Sequence, residues 1–306
     1  MQTDVIIVGG SFAGLSAALM LARARRDVLV IDAGQPRNRF ASHSHGVLGM
    51  DGVAGSELLK TARQQLLAYP SVRWLAGEAV HATSSANDMQ VRMADGTLAT
   101  ARKLLLATGI SDQLPDIPGL AERWGSTVLH CPYCHGYEIG GGAIGVLGGM
   151  EGTAAKAGLL ADWGTVTFFS QGLAIAEDDL ARLQQRGVQI ETTPVVAVQG
   201  EQPQWLELLL ADGRRSAQRA VFAPARQTMA TALVEQLGCT LVESMLGVLI
   251  EVDAQKQTSV PGVYAAGDAT VIGNIPLASA EGVRAGVSIH HALVAEDSQC
   301  PLSSTA

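Results

Sequence analysis

From Asp4 to Asp32 the chain reads DVIIVGGSFAGLSAALMLARARRDVLVID, and few folds accommodate that pattern. Val5 to Val8 is a short apolar run, as expected of a parallel strand buried on both faces. Ala13 to Ala24 holds good helix formers. Val28 to Ile31 is a second apolar run, and Asp32 closes it. Strand, glycine turn, helix and strand make a βαβ unit. Gly9, Ser11 and Gly14 stand at the spacing of G-x-G-x-x-G. In that pattern the first glycine permits the tight turn, and the middle position lies close to a pyrophosphate. The third lets helix and strand pack. The helix N-terminus directs N–H groups and positive dipole at phosphate. An acid where Asp32 stands can hold a ribose hydroxyl. Serine at the middle position departs from the usual glycine.

The pattern recurs in weaker form from Gly141: GGAIGVLGGMEGTAAKAGLLADWGTVTFFSQG, with a strand at Val166 to Phe169. Near the C-terminus, TSVPGVYAAGDAT predicts a strand, Val263 to Ala266, that delivers Gly267-Asp268 to a turn. The stretch ATGISDQLPDIPGL (107–120) is rich in Pro, Asp and Gly and reads as a crossing between domains. A return crossing is expected near Leu237 to Glu243. The fold class is therefore α/β, with two Rossmann-like nucleotide-binding domains. Residues 1–113 and 241–306 form a discontinuous first domain, and 114–240 an inserted second one. The tail EDSQCPLSSTA is expected to fray.

A chain of 306 residues, 47% hydrophobic and 16% charged, can bury two such cores. Its net charge of −8 argues against a nucleic-acid partner. No apolar run is long enough to span a membrane. The N-terminus enters a strand at once and lacks a basic leader, so a cytoplasmic protein is expected. Four cysteines in a reducing compartment favour catalysis or metal binding over a disulfide framework.

The stretch HCPYCHGYE, His130 to Glu138, carries the chemistry. A structural zinc site needs four ligands, commonly from two pairs. Cys131 and Cys134 supply one pair, with His130 or His135 as a third candidate, and no second pair follows. Cys239 and Cys300 are isolated, so no metal is expected. The redox reading needs only what is present. Cysteines at i and i+3 at a helix start can close a reducible disulfide. The helix dipole and a nearby imidazolium lower a thiol pKa. His135, and after it His130, is a candidate proton carrier near neutral pH.

A fingerprint turn, ATG, a CxxC beside the second βαβ unit and GVYAAGDA follow one another along essentially the whole chain. In this order they resemble the low-molecular-weight thioredoxin reductase family. The resemblance implies FAD in the first domain and an NAD(P)-type fold in the second. It implies that Gly9, Ser11, Ala13, Gly14 and Asp32 hold the FAD phosphates and ribose. Ala107, Thr108 and Gly109 would lie against the FAD, Asp268 would bind its ribityl or phosphate part, and Ile275 and Pro276 would face the isoalloxazine. Cys134 would contact the flavin, and Cys131 would attack the partner sulfur. A homodimer is implied as well.

The family pattern breaks at the second glycine turn. GGMEGTAA keeps Gly148 but puts Met150 where a pyrophosphate should approach. No Arg or Lys follows Phe169 until Arg182, so a 2′-phosphate lacks its cation. The sequence here resembles a narrower group, the dithiol oxidases of the gliotoxin, holomycin and romidepsin pathways, in which a histidine follows the second cysteine. DAGQPRNRFASHSHG (32–46) resembles their flavin segment and makes Arg37, Asn38 and His45 candidate FAD contacts. That resemblance implies a small-molecule dithiol and dioxygen as partners. The alternative is an NADPH-dependent disulfide reductase. The segment GNIPLASAEG (273–282) is expected to line an apolar pocket near the flavin.

Overall fold

The computed structural model describes residues 1–85, 88–200 and 205–299, and in it the chain forms two units. The first comprises residues 1–37, 56–111 and 228 onward; the second comprises 38–55 and 112–227. The return therefore begins at Thr228, earlier than residue 241. The cause is a short helix, Leu233–Leu237, whose Leu233, Val234 and Leu237 are buried in the first unit's core. Its Gln236 accepts from the Ala82 N–H at 3.0 Å and donates to the Val80 carbonyl at 3.2 Å.

The first unit is built on a seven-stranded sheet. Its path runs Val72–Ala76, Val28–Asp32, Gln2–Val8, Leu98–Leu106, Met89–Met93, Ala79–Ser84, with Val263–Ala265 also paired to Leu98–Leu106. The central strands are parallel, with Val5 opposite Val28 and Val8 opposite Leu106. Val5, Ile6 and Ile7 are fully buried because both sheet faces are covered. One face carries the helices Phe12–Arg23 and Ile275–Gln299, packed through Ala17, Leu21, Ala285 and Ile289.

The long C-terminal helix corrects one expectation and places another segment. Residues 275–282 of the segment expected to line a pocket form its first turns, and Pro276 sits in the first turn, where its missing N–H costs nothing. Residues 296–299 do not fray: Glu296 pairs with Lys103, and Asp297 lies 2.8 Å from both Arg26 and Arg102. Cys300 and the last six residues lie outside the described residues.

The second unit has a five-stranded parallel sheet in the order Gln189–Glu191, Thr165–Phe169, Ala143–Leu147, Ala220–Phe222, Val128–Leu129. A three-stranded antiparallel sheet, Val195–Gln199 to Arg215–Gln218, packs on it through Leu206, Leu208, Phe169 and Val221. The loop 38–55 belongs here because Gly125 makes room for Phe40: a Cβ on Gly125 would lie 2.4 Å from the Phe40 Cβ. No described helix is long and apolar enough to cross a membrane.

Candidate active site

The first unit gathers the residues of the N-terminal fingerprint. Gly9 turns the chain at φ 105°, and a Cβ there would sit 2.1 Å from the Ala107 carbonyl oxygen. Only glycine allows that approach. At Gly14 a Cβ would sit 1.9 Å from the Gly9 carbonyl oxygen, so the helix starts directly against the turn. Ser11 precedes the helix without capping it, which leaves the first-turn N–H groups directed at any bound phosphate. The Gly10 N–H donates to Asp32 Oδ1 at 3.0 Å and fixes the carboxylate beside the turn.

The later motifs of the same unit meet this turn. A Cβ on Gly267 would lie 2.8 Å from the Ala13 Cβ, which brings Asp268 to the helix start. Arg37 Nη1 donates to Asp268 Oδ2 at 3.1 Å. The Thr108 hydroxyl is shut off from solvent with no hydrogen-bond partner among the described residues. Such an orphan is uncommon in a folded protein and is a point where a ligand could be received. Ile275 is half-buried and Pro276 exposed at the start of the C-terminal helix. The tight turn, the open helix end, the placed acid and the orphan hydroxyl together fit a dinucleotide such as FAD. Asn38 and His45 lie with the second unit. Trp74, which underlies Gly10, went unread in the sequence; a Cβ on Gly10 would lie 2.3 Å from its ring.

The second unit carries the CxxC. Cys131 is the N-cap of the helix Pro132–Ile139, with Pro132 in its first turn and a left-handed Gly140 ending it. Cys131 and Cys134 are joined as a disulfide, their Cα atoms 5.3 Å apart. Both therefore sit at the positive end of the helix, where a thiolate is favoured on reduction. Gly136 presses the helix onto Trp163: a Cβ would lie 2.9 Å from the indole. Tyr133 stands edge-on to that indole, ring centroids 5.5 Å apart, and points out to solvent, as does Tyr137.

The flanking histidines differ. Lys156 Nζ donates to the His130 carbonyl at 3.4 Å, and burial pulls the Lys156 amine below its usual value. Burial also holds His135 below the ordinary imidazole range; the Glu138 carboxylate acts upward and His45 downward. That burial favours the neutral imidazole, the form that can accept a proton. His45 lies 3.5 Å from Asp51 Oδ2 and 3.4 Å from Glu138 Oε1. Asp51 and Glu138 were missed in the sequence. Glu138 had a legible signal, since it stands three residues after His135 on one helix and so on the same side. Asp51 had none. No group of metal-ligating side chains occurs among the described residues.

The second glycine turn holds its shape: a Cβ on Gly148 would lie 2.3 Å from the Ser170 carbonyl oxygen. Beside it is a cavity of about 380 Å³ lined by Leu147, Met150, Gln171 and Pro224 among others. The charged groups among its lining residues are Asp116 and Arg226. Gln171, just past the second strand, has φ 51° and spends its amide on the backbone. It accepts from the Val195 N–H at 2.7 Å and donates to the Val195 carbonyl at 3.2 Å. Arg182 lies along the next helix, bound to Asp178 and Asp179. Among the described residues lining this cavity Arg226 is the one cation, whereas a 2′-phosphate calls for a cluster of them.

Known proteins share this architecture. Residues 3–282 match the pyridine nucleotide-disulphide oxidoreductase family. The chain is 33% identical to thioredoxin reductase tcpT of Claviceps purpurea, over 96% of this chain and 95% of that one. It is 29% identical to thioredoxin reductase sirT of Leptosphaeria maculans, with the same coverage. Among solved structures, an oxidoreductase from Agrobacterium tumefaciens superposes with a TM-score of 0.92 at 44% identity, covering 96% of this chain and 99% of that one. HlmI superposes with a TM-score of 0.90 at 36% identity, covering 97% and 94%.

Proposed function

Since the chain belongs to the pyridine nucleotide-disulphide oxidoreductase family and is a thioredoxin reductase-like flavoprotein, we propose that it is an FAD-dependent dithiol oxidase. It closes a disulfide within a small secondary metabolite, and the electrons go on to dioxygen. The observation that carries this reading is the second glycine turn, where Met150 and the backbone-bound Gln171 stand in place of phosphate-binding groups. On this reading the CxxC takes its electrons from thiols and not from a nicotinamide.

A substrate thiolate attacks Cys131 Sγ. The Cys131–Cys134 bond breaks, and Cys134 leaves as a thiolate, stabilised by the helix N-terminus. The second substrate thiol gives its proton to His135 and attacks the substrate sulfur of the mixed disulfide. Cys131 then leaves as a thiolate, and the product carries the new disulfide. FAD, held by Gly9, Ser11, Gly14, Asp32, Thr108 and Asp268, supplies when bound a two-electron acceptor for the cysteines and a route to dioxygen that yields hydrogen peroxide.

The names of tcpT and sirT favour a second reading, an NADPH-dependent disulfide reductase. Aerobic assay with dithiothreitol separates the two. The oxidase consumes oxygen and forms peroxide one-to-one without NADPH, and Cys131→Ser and Cys134→Ser each lower that rate by about a hundredfold or more. Peroxide formation that requires NADPH, or that survives both substitutions, contradicts the oxidase.

A further inference from the structure

The first unit holds a buried ion pair. Lys256 Nζ and Glu281 Oε2 are in contact, with 5% and 6% of their side chains exposed. Shutting two charges away from water costs free energy, and apolar side chains of similar size hold a fold as well or better. Such a pair is weak evidence for stability, so its neighbours decide what it does. Lys256 stands in a turn at residues 253–257 with φ 67°, a left-handed conformation that lysine seldom adopts. Two backbone bonds keep it there: its N–H donates to the Asp253 carbonyl, and its carbonyl accepts from the Ala265 N–H, both at 3.0 Å. Glu281 stands on the C-terminal helix, one residue before the Gly282 that meets Ala13.

The pair leads to the turn that carries Asp268. The buried Thr270 hydroxyl lies between two acceptors, 3.3 Å from Glu281 Oε2 and 3.1 Å from the Gly267 carbonyl oxygen. The same carbonyl accepts the Thr270 N–H at 2.8 Å and the Val271 N–H at 3.0 Å. Gly267 opens the short turn Gly267–Ala269, and Asp268 follows it. Lys256, Glu281, Thr270 and Gly267 thus form a continuous run of polar contacts that ends one residue before the Asp268 carboxylate. On the solvent side, Arg284 Nη1 lies 3.5 Å from Glu281 Oε1, and Arg284 Nη2 donates to the Ala254 carbonyl at 3.0 Å. The turn at 253–257 and the C-terminal helix are therefore tied together on both sides of the pair.

We propose that Lys256, Glu281 and Thr270 are positioning residues that hold the Gly267–Asp268 turn in the one conformation that receives FAD. Their contribution is to geometry and not to net stability. An apolar trio would fill the same space and let the turn take other orientations, because apolar burial has no preferred direction, whereas a hydroxyl set between a carboxylate and a carbonyl has one. FAD would then bind the fraction of molecules that hold the competent turn, and its apparent affinity falls by that fraction. The inference rests on the FAD part of the reading above and is independent of the electron donor.

The test uses the full chain, stripped of FAD, as wild type, Thr270→Val, Thr270→Ser and the double variant Lys256→Met with Glu281→Leu. FAD affinity is measured by equilibrium dialysis, and the stability of each FAD-free form by its urea midpoint. Thr270→Val keeps the shape of the side chain without its hydroxyl and weakens FAD binding by about tenfold. Thr270→Ser keeps the hydroxyl and stays within about twofold of the wild type. The double variant weakens FAD binding by about tenfold or more, while its FAD-free midpoint equals or exceeds that of the wild type. A pair that only stabilised the fold would lower the midpoint and leave FAD affinity alone, and that result overturns the proposal. Should the double variant fail to fold, Thr270→Val against Thr270→Ser decides, and equal affinities overturn it. A wild type that binds no FAD removes the flavin site itself and this inference with it.

Discussion

Thr108 gives the sharpest prediction at the scale of one residue. Its hydroxyl is buried without a partner among the described residues, and this costs stability unless a ligand receives it. Thr108→Val should leave the FAD-free protein as stable as before, or more so. In the loaded protein it should weaken FAD binding by about tenfold, the loss of roughly one hydrogen bond. Equilibrium dialysis of FAD and thermal unfolding of the FAD-free form check the two halves. Much at this scale was legible in the sequence. Gly9, Gly14, Asp32 and Asp268 were readable because a tight turn and a helix–strand contact admit few residue types, and the structure brings them together. The Thr108 hydroxyl was named with its motif, but its isolation became visible only once neighbouring backbone was placed. Asp51 was not legible, because its approach to His45 depends on a loop whose shape is set by contacts with the second unit.

Among the elements, the pair formed by Phe12–Arg23 and Ile275–Gln299 decides how the fingerprint helix sits. Gly282 and Gly286 let the backbones approach: a Cβ on Gly282 would lie 2.0 Å from the Ala13 carbonyl oxygen, and one on Gly286 would lie 2.7 Å from that of Ala17. Gly282→Ala must push the C-terminal helix off Ala13. It should cost roughly 1–3 kcal/mol by overpacking, read as a lowered urea midpoint, with FAD retention falling alongside. An unchanged midpoint would show that the helices do not meet at Ala13. The sequence concealed this helix. Gly273, Pro276 and Gly282 punctuate its start, and glycine and proline are read as loop signals when packing is unknown. The strands were easier, because runs such as Val5–Val8 and Val28–Ile31 are apolar throughout, as burial on both faces requires.

For the whole molecule, the repetition of strand, glycine turn and helix revealed two units, and the break in the second glycine turn pointed to a change of electron donor. The return near Thr228 was hidden, since the short helix Leu233–Leu237 has an apolar face that either core could have buried. The assignment of loop 38–55 was hidden as well: the fit of Phe40 against Gly125 and the pairing of His45 with Glu138 reveal it. The account turns on which donor reaches the flavin. The most direct measurement is anaerobic: the FAD-loaded protein is mixed in turn with NADPH and with dithiothreitol, and the flavin's visible absorbance is followed. The account predicts rapid bleaching by the dithiol, lost in Cys131→Ser, and no bleaching by NADPH within the same interval. Rapid bleaching by NADPH would contradict it.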